Sequence, residues 1–201
     1  MKPFCRLVIT LTLIAAGAGL VLSLVESATR EPIAAQRKIQ QLKAISAVLP
    51  VFDNSPTDDC VVLEIGRDKK DQPFSCTFFR ARKEDQLVGV AFRVISRDGY
   101  SGAIEIMVGV DSQEQIVAIE ILSNSETPGL GSKITSTVFK DQFRKRDLTN
   151  TDWRVKKDGG EIDQLTGATI SPRATVAAIK QGLEFFKQHR AQILARQGDP
   201  L

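Results

Sequence analysis

The chain has 201 residues, 42% of them hydrophobic and 25% charged, which suits one globular domain with a short extra segment and excludes wholesale disorder or many membrane spans. The net charge is only +3 and the basic residues are dispersed, so the sequence gives no basis for nucleic-acid binding. One histidine and three widely spaced cysteines exclude a catalytic histidine pair and a cysteine-ligated metal or haem site.

The first element is an uncharged apolar run at residues 7–25, LVITLTLIAAGAGLVLSLV. Nineteen helical residues are about 28 Å long, which matches the hydrocarbon core of a bilayer. A cleaved signal peptide is the alternative, but the run is longer than the apolar h-region of a usual signal peptide. Its one small-x-small site, Ala16-Gly17-Ala18, also lies in the middle of the run. We therefore predict an uncleaved transmembrane anchor within residues 1–26.

The orientation of this anchor is not decided by charge. Lys2 and Arg6 precede the apolar run, and further basic residues follow it at Arg30, Arg37, Lys38 and Lys43. A long domain after an anchor is translocated largely regardless of charge. A short N-terminus in the cytoplasm is therefore the default prediction.

Residues 27–59 are predicted to link the anchor to the domain through a helix. Pro32 suits the first turn of such a helix, and Pro50 ends its pattern. Apolar residues recur between them at helical spacing: Leu42, Ile45 and Leu49.

Five short runs rich in β-branched and aromatic residues then predict strands. They are CVVLEI from residue 60, FSCTFFR from 74, QLVGVAFRVI from 86, AIEIMVGV from 103 and IVAIEIL from 116. In the fourth run the alternating residues Ile104, Ile106, Val108 and Val110 share one face. Because the polar connections are short, neighbouring strands are expected to pair antiparallel.

Helical segments follow the strands. The first is expected to turn Ile134 and Val138 inward, with Phe139 and Phe143 as further inward candidates. A turn is predicted at Asp158-Gly159-Gly160, before a final helix with Ser171 as N-cap and Pro172 in its first turn. This helix carries an apolar stripe of Val176, Ile179, Leu183 and Phe186. The sequence thus predicts an α+β domain at residues 60–190, a largely antiparallel sheet flanked by helices, and a flexible tail at 191–201.

One candidate motif, Asp163-Gln164-Leu165-Thr166-Gly167-Ala168-Thr169, directly precedes the final helix. Its small residues leave two threonine hydroxyls accessible, and the N-terminus of the helix favours a phosphate. The alternative is that Thr166 and Thr169 are ordinary turn and pre-cap residues, and the motif alone favours that alternative.

The second candidate motif is Glu126-Thr127-Pro128-Gly129-Leu130-Gly131. Two glycines and a proline in six residues predict a rigid loop against which a flat ligand ring can lie. By itself the loop is equally an ordinary turn before a helix.

Together these segments resemble the G subunit of the Rnf ion-translocating electron transport complex. The resemblance lies in GYSGAIEIMVGVD, LSNSETPGLGSKI and VKKDGGEIDQLTGATIS, which occur in the family's order between residues 99 and 186. The single N-terminal anchor and the segment VLP-x-FDN near Pro50 agree with it. The C subunit of the sodium-pumping NADH:quinone reductase shares the flavin domain, but its chain is generally longer.

The resemblance implies FMN held covalently through its phosphate, after a flavin transferase has moved it from FAD onto the last threonine of the motif. Carried over, the acceptor is Thr169, and the rest of the family pattern is matched by Asp163, Thr166, Gly167 and Ala168. The loop at residues 126–131 would approach the isoalloxazine ring. The flavin would carry out the redox chemistry, so the resemblance implies no catalytic acid or base in the protein.

The resemblance further implies an electron-carrier subunit of a complex that couples ferredoxin/NAD-class electron transfer to ion translocation. The expected partners are the other subunits, the flavin transferase and the lipid bilayer, and nucleic acid is not among them. The expected location is the inner membrane, with the domain in the periplasm. Three alternatives remain: the C-type subunit of the sodium-pumping quinone reductase, a stand-alone anchored flavin reductase, and a non-redox binding protein whose threonine motif only caps a helix.

Cys60 and Cys76 leave two alternatives open. A hairpin centred on Asp68 would place them opposite each other, at a distance that a disulfide can bridge. Otherwise both are unpaired thiols that act as small hydrophobic residues. A slip of one residue in the register would turn the two side chains to opposite faces.

Overall fold

A computed structural model describes residues 2–67 and 73–195 of the chain. The chain divides into two compact units, Met1–Gln41 and Leu42–Leu201. The first unit consists of the N-terminal part of helix α1, which spans Lys2–Val48. Its apolar side chains, such as Leu7, Ile14 and Leu22, are exposed. Among the described residues, α1 is the one helix long and apolar enough to cross a membrane.

The linker helix is continuous with the anchor, which corrects the expected role of Pro32. This proline lies inside α1 and not in the first turn of a separate helix. A proline inside a helix removes one backbone hydrogen bond and costs about 3 kcal/mol. Most of its neighbours are good helix formers, as in AAQRKIQQLKA, so the helix continues to Val48.

The predicted antiparallel sheet is confirmed. Its strands are β1 (Cys60–Arg67), β2 (Pro73–Lys83), β3 (Gln86–Ser96), β4 (Ile104–Asp111) and β5 (Ile116–Ser123). They lie side by side in chain order, and every neighbouring pair is antiparallel. The turn between β1 and β2 lies outside the described residues.

Both faces of the sheet are covered. One face packs against helix α3 (Ile170–Gln188), and its predicted members are all fully buried: Ile104, Ile106, Val108 and Val110. The other face combines small residues such as Ala91 and Gly109 with the larger Phe79 and Met107, and packs with the last turns of α1. A Cβ at Gly109 would lie 1.9 Å from the carbonyl oxygen of Val48, so only glycine lets the helix end approach so closely.

The helical segment predicted after the sheet is divided into two short elements. A 3₁₀ turn at Gly131–Thr135 precedes the one-turn helix α2 (Thr137–Asp141). Ile134, Phe139 and Phe143 are buried as expected. The inward prediction for Val138 is wrong, because this side chain is 82% exposed. Helical spacing from Ile134 fails there because the backbone leaves the helix at Ser136, which has an extended conformation.

The final helix differs from its prediction at both ends. The stripe of Val176, Ile179, Leu183 and Phe186 is buried, as predicted. Ser171, however, is the second residue of α3, and Thr169 stands at the N-cap. A further helix, α4 (Arg190–Leu194), occupies the start of the expected tail and buries Ile193, while residues 196–201 lie outside the described residues.

The register of β1 and β2 separates the two cysteines of the domain. Cys60 lies opposite Phe79, whereas Cys76 lies opposite Leu63. The cysteines are therefore offset by three positions, about 10 Å along the strands, and point to opposite faces of the sheet. In the part of the chain that the structure describes, both are free thiols, so the disulfide alternative is wrong. Burial raises the pKa of the Cys76 thiol to about 12.

Candidate functional site

The first motif forms a tight turn followed by the start of α3. The N–H of Ala168 donates to the carbonyl of Leu165 at 3.1 Å, which closes a four-residue turn. Gly167 occupies its third position with φ +82°, a conformation that glycine adopts without steric cost. Thr166 and Gly167 are exposed, whereas Ala168 and Thr169 are half-buried.

Thr169 stands where the turn meets the helix. Its carbonyl accepts the N–H of Arg173 at 3.3 Å, which begins the helical hydrogen bonding. Among the described contacts, its side chain makes no capping hydrogen bond. The first turn of a helix also presents backbone N–H groups that lack intrahelical partners. The N-terminus of α3 therefore combines an uncommitted hydroxyl with N–H donors and the positive end of the helix dipole.

Two ion pairs hold the approach to this turn. Asp163 pairs with Lys156 at 2.7 Å, and its N–H donates to Oε1 of Gln142, also at 2.7 Å. Asp158 accepts two hydrogen bonds from the guanidinium of Arg173, on the first turn of α3. The Arg173 guanidinium holds the pKa of Asp158 below its usual value. Asp163 thus orients the loop from its exposed outer side.

The second motif begins a 3₁₀ turn on the neighbouring side of the site. The carbonyl of Thr127 accepts the N–H groups of Leu130 and Ser132, both at 3.2 Å. Gly129 has φ +76°, again a conformation suited to glycine. Pro128, Gly129 and Leu130 are exposed, Thr127 is half-buried and Gly131 is buried.

The structure brings the two motifs into contact. A Cβ at Gly167 would lie 3.0 Å from Cδ2 of Leu130, so the turn of the first motif lies against the loop of the second. Two large apolar side chains at these segments are exposed, Leu130 in the second motif and Ile170 directly after the first. Exposed apolar side chains beside an anion-favouring helix terminus suit a ligand that has a phosphate and an apolar ring.

Glu126 is buried, whereas the residues that follow it at the tip of the loop are exposed. It is only 4% exposed, and its Oε2 accepts the hydroxyl of Ser171 at 2.5 Å. Its Oε1 accepts the N–H of Ser101, in the loop between β3 and β4, at 3.2 Å. The carboxylate thus joins three segments that are distant in sequence.

Sequence reasoning assigned Ser171 to helix capping and gave no role to Ser101. The Glu126–Ser171 bond joins residues 45 positions apart, so no local pattern indicates it. The one available signal was Gly99-Tyr100-Ser101-Gly102, which lies inside the region that resembles the family.

Comparison with known proteins gives a consistent result. Residues 99–184 match the model of the FMN-binding domain. The G subunit of the ion-translocating oxidoreductase complex of Aliivibrio fischeri is 36% identical over 192 residues, covering 92% of this chain and 91% of that protein. The protein of the same name from Yersinia pestis is 38% identical, covering 93% and 92%.

A solved structure shares the fold. NqrC of Shewanella oneidensis superposes with a TM-score of 0.51 over 67% of this chain and 69% of that chain. Its sequence identity is 18%, so the likeness concerns the fold alone.

Proposed function

The chain belongs to the family of G subunits of ion-translocating oxidoreductase complexes, and from this premise we propose that Thr169 carries FMN covalently, as a phosphodiester. The chain is an FMN-binding redox subunit of such a complex and not a stand-alone catalyst. The proposal adds the attachment residue, the orientation in the membrane and the electron-transfer class.

The uncommitted hydroxyl at the N-terminus of α3 is the observation that carries the proposal. A threonine that only capped the helix would direct its oxygen to an N–H group of the first turn. Among the described contacts, Thr169 makes no such bond, and the residue is half-buried at a helix N-terminus, which favours a phosphate. Thr166 is the other candidate hydroxyl, but it lies in the exposed turn, three residues before the helix.

Attachment requires FAD and a flavin transferase. Oγ1 of Thr169 forms a bond to the flavin-side phosphorus while the pyrophosphate bond of FAD breaks. AMP leaves, and the hydroxyl proton passes to the transferase. The product is a phosphodiester whose remaining negative charge lies at the positive end of the α3 dipole.

The surrounding residues would hold the group after attachment. The ion pair of Lys156 with Asp163 would hold the motif loop in place. Because Gly167 has no side chain, Leu130 can pack directly against the motif loop. Leu130 and Ile170 present apolar surface next to the attachment point. The loop at residues 126–131 would thus contact the isoalloxazine ring through its exposed part. When bound, FMN supplies reversible electron transfer, and the protein fixes its position.

The proposed setting is the inner membrane. The apolar part of α1 is long enough to span the bilayer once. With a short cytoplasmic N-terminus, the FMN-binding domain would lie in the periplasm. There it would relay electrons between other subunits of a complex of the ferredoxin/NAD class.

In-gel flavin fluorescence after denaturation tests the attachment residue. The full chain, co-expressed with a flavin transferase, should give a fluorescent band. Thr169→Ala should remove the fluorescence while leaving the thermal unfolding midpoint nearly unchanged, since the lost hydroxyl makes no capping bond. Thr166→Ala is the matched control and should keep most of the signal. A dark Thr166→Ala band beside a fluorescent Thr169→Ala band would contradict the assignment.

A further inference from the structure

We propose that Glu126 is a positioning residue that fixes the first turn of α3, and with it the Thr169 hydroxyl, for flavin attachment. The inference rests on the proposed function of Thr169. It assigns to Glu126 a role exerted through Ser171, in place of direct contact with the flavin ring.

The first observation is that both carboxylate oxygens of Glu126 already have partners. Oε2 accepts the Ser171 hydroxyl and Oε1 accepts the Ser101 N–H. The carboxylate is almost completely buried, and a hydrogen bond to a charged group is stronger than a neutral one. A side chain held in this way is available to fix neighbouring segments and is poorly placed to lie against a ring at the surface.

The second observation is that two glycines make room for this carboxylate. A Cβ at Gly99 would lie 2.7 Å from Oε1, and a Cβ at Gly131 would lie 2.7 Å from Oε2. The Gly131 Cβ would also lie 2.5 Å from the Ser171 hydroxyl oxygen. Each distance is shorter than the van der Waals contact distance of a carbon and an oxygen. A side chain at either position would therefore displace the carboxylate from its hydrogen bonds.

The third observation connects the carboxylate to the attachment point. Ser171 is the second residue of α3, and Thr169 stands two positions before it, at the N-cap. Thr169 makes no capping bond of its own in the described structure, and the Glu126–Ser171 bond is a buried side-chain tie between this end of the helix and the 126–131 loop. Leu130, from the same loop, contacts Gly167 on the other side of Thr169. The 126–131 loop therefore holds Thr169 from both flanks.

Transfer of a group to a hydroxyl depends steeply on where the hydroxyl lies, and a displacement of about 1 Å can cost a factor of about 100. Loss of the Glu126–Ser171 bond should therefore slow flavin attachment much more than it lowers the thermal unfolding midpoint. It should lower the maximal transfer rate at saturating acceptor and leave the acceptor concentration for half-maximal rate nearly unchanged.

The test uses the full-length protein in detergent with FAD and the flavin transferase, and follows covalent fluorescence with time. The variants are Glu126→Met, which removes both acceptor oxygens where Gln would keep one for the Ser171 hydroxyl, Ser171→Ala and the double variant. Thr175→Ala is the matched control, because it also removes a buried hydroxyl from α3, but one that bonds only within the helix, to the carbonyl of Ser171.

We expect both single variants to reduce the maximal transfer rate by about 10- to 100-fold, and the double variant to be no slower than the slower single variant. The control should remain within about two-fold of the original chain by the same reasoning. If Glu126→Met is slow while Ser171→Ala is normal, or if the two effects multiply, positioning through Ser171 is refuted. Normal rates in both variants refute it as well. If the unmodified chain itself acquires no flavin, the proposed function fails, and this result is distinct from the others.

Discussion

Asp59→Asn should destabilise the domain more than any loss of a surface ion pair, because it leaves a buried guanidinium without its counter-charge. The Arg80 side chain is 1% exposed, and its Nε and Nη2 lie 2.6 and 2.5 Å from Oδ1 of Asp59. Its Nη1 donates to the carbonyls of Ile193 and Ala195, so the same guanidinium holds the segment after α4.

The other oxygen of Asp59 accepts Nε of Arg82 at 2.7 Å, so the substitution removes the counter-charge of both guanidinium groups. The magnitude follows from the burial of the carboxylate and of Arg80. Removing one member of a buried pair costs 3–5 kcal/mol, and the 26% exposure of Asp59 favours the lower end, about 3 kcal/mol. For a domain of this size the thermal unfolding midpoint should fall by about 6–12 °C. Circular dichroism of the full chain in detergent measures this change.

Glu105→Gln is the matched control for this experiment. It removes the partner of Arg93 in an exposed pair at 3.4 Å, which should cost less than about 1 kcal/mol. In Asp59→Asn, limited trypsin digestion should also cut at Arg190 in α4 sooner, because Arg80 bonds to the carbonyl of Ile193 in that helix. Equal midpoints for the two variants would refute the conclusion that Arg80 depends on a buried counter-charge.

Two further predictions concern titration. Arg173 lowers the pKa of Asp158 in the folded chain. The pair therefore stabilises the folded chain fully at pH values above 3.8, the ordinary pKa of the carboxyl group. This stabilisation is lost as the pH falls through the lowered pKa of Asp158 in the folded chain. The unfolding midpoint of Asp158→Asn should therefore converge with that of the original chain in strong acid, and a constant difference would contradict the pairing. Cys76 should resist iodoacetamide in the folded chain at pH 8 because burial raises its pKa to about 12, and rapid alkylation seen by mass spectrometry would contradict its burial.

Local patterns predicted the strands well. Alternation at Ile104, Ile106, Val108 and Val110 reports burial on one face directly, and short polar connections leave antiparallel pairing as the simple solution. The apolar stripe of α3 was predicted for the same reason, since its period is a property of neighbouring residues.

The errors arose where distant contacts decide the structure. The offset of Cys60 and Cys76 depends on the register of a whole hairpin, which two positions cannot determine. Ser171 resembled an N-cap by residue type, but its hydroxyl bonds to Glu126 in another segment. Val138 matched a helical period that the chain interrupts at Ser136.

The candidate site shows the same division. The order and residue types of both motifs were readable from the sequence, and so was the presence of a helix after Thr169. The contact of Leu130 with Gly167 was not, because it depends on how the sheet brings two loops together.

Tandem mass spectrometry of the tryptic peptide DGGEIDQLTGATISPR, residues 158–173, tests the central proposal most directly. This peptide contains both Thr166 and Thr169, and fragment ions that break the chain between them distinguish the two hydroxyls. In protein co-expressed with a flavin transferase, the peptide should carry the mass of FMN less one water, located on Thr169. An unmodified peptide from that protein, or the added mass on Thr166, would contradict covalent FMN at Thr169.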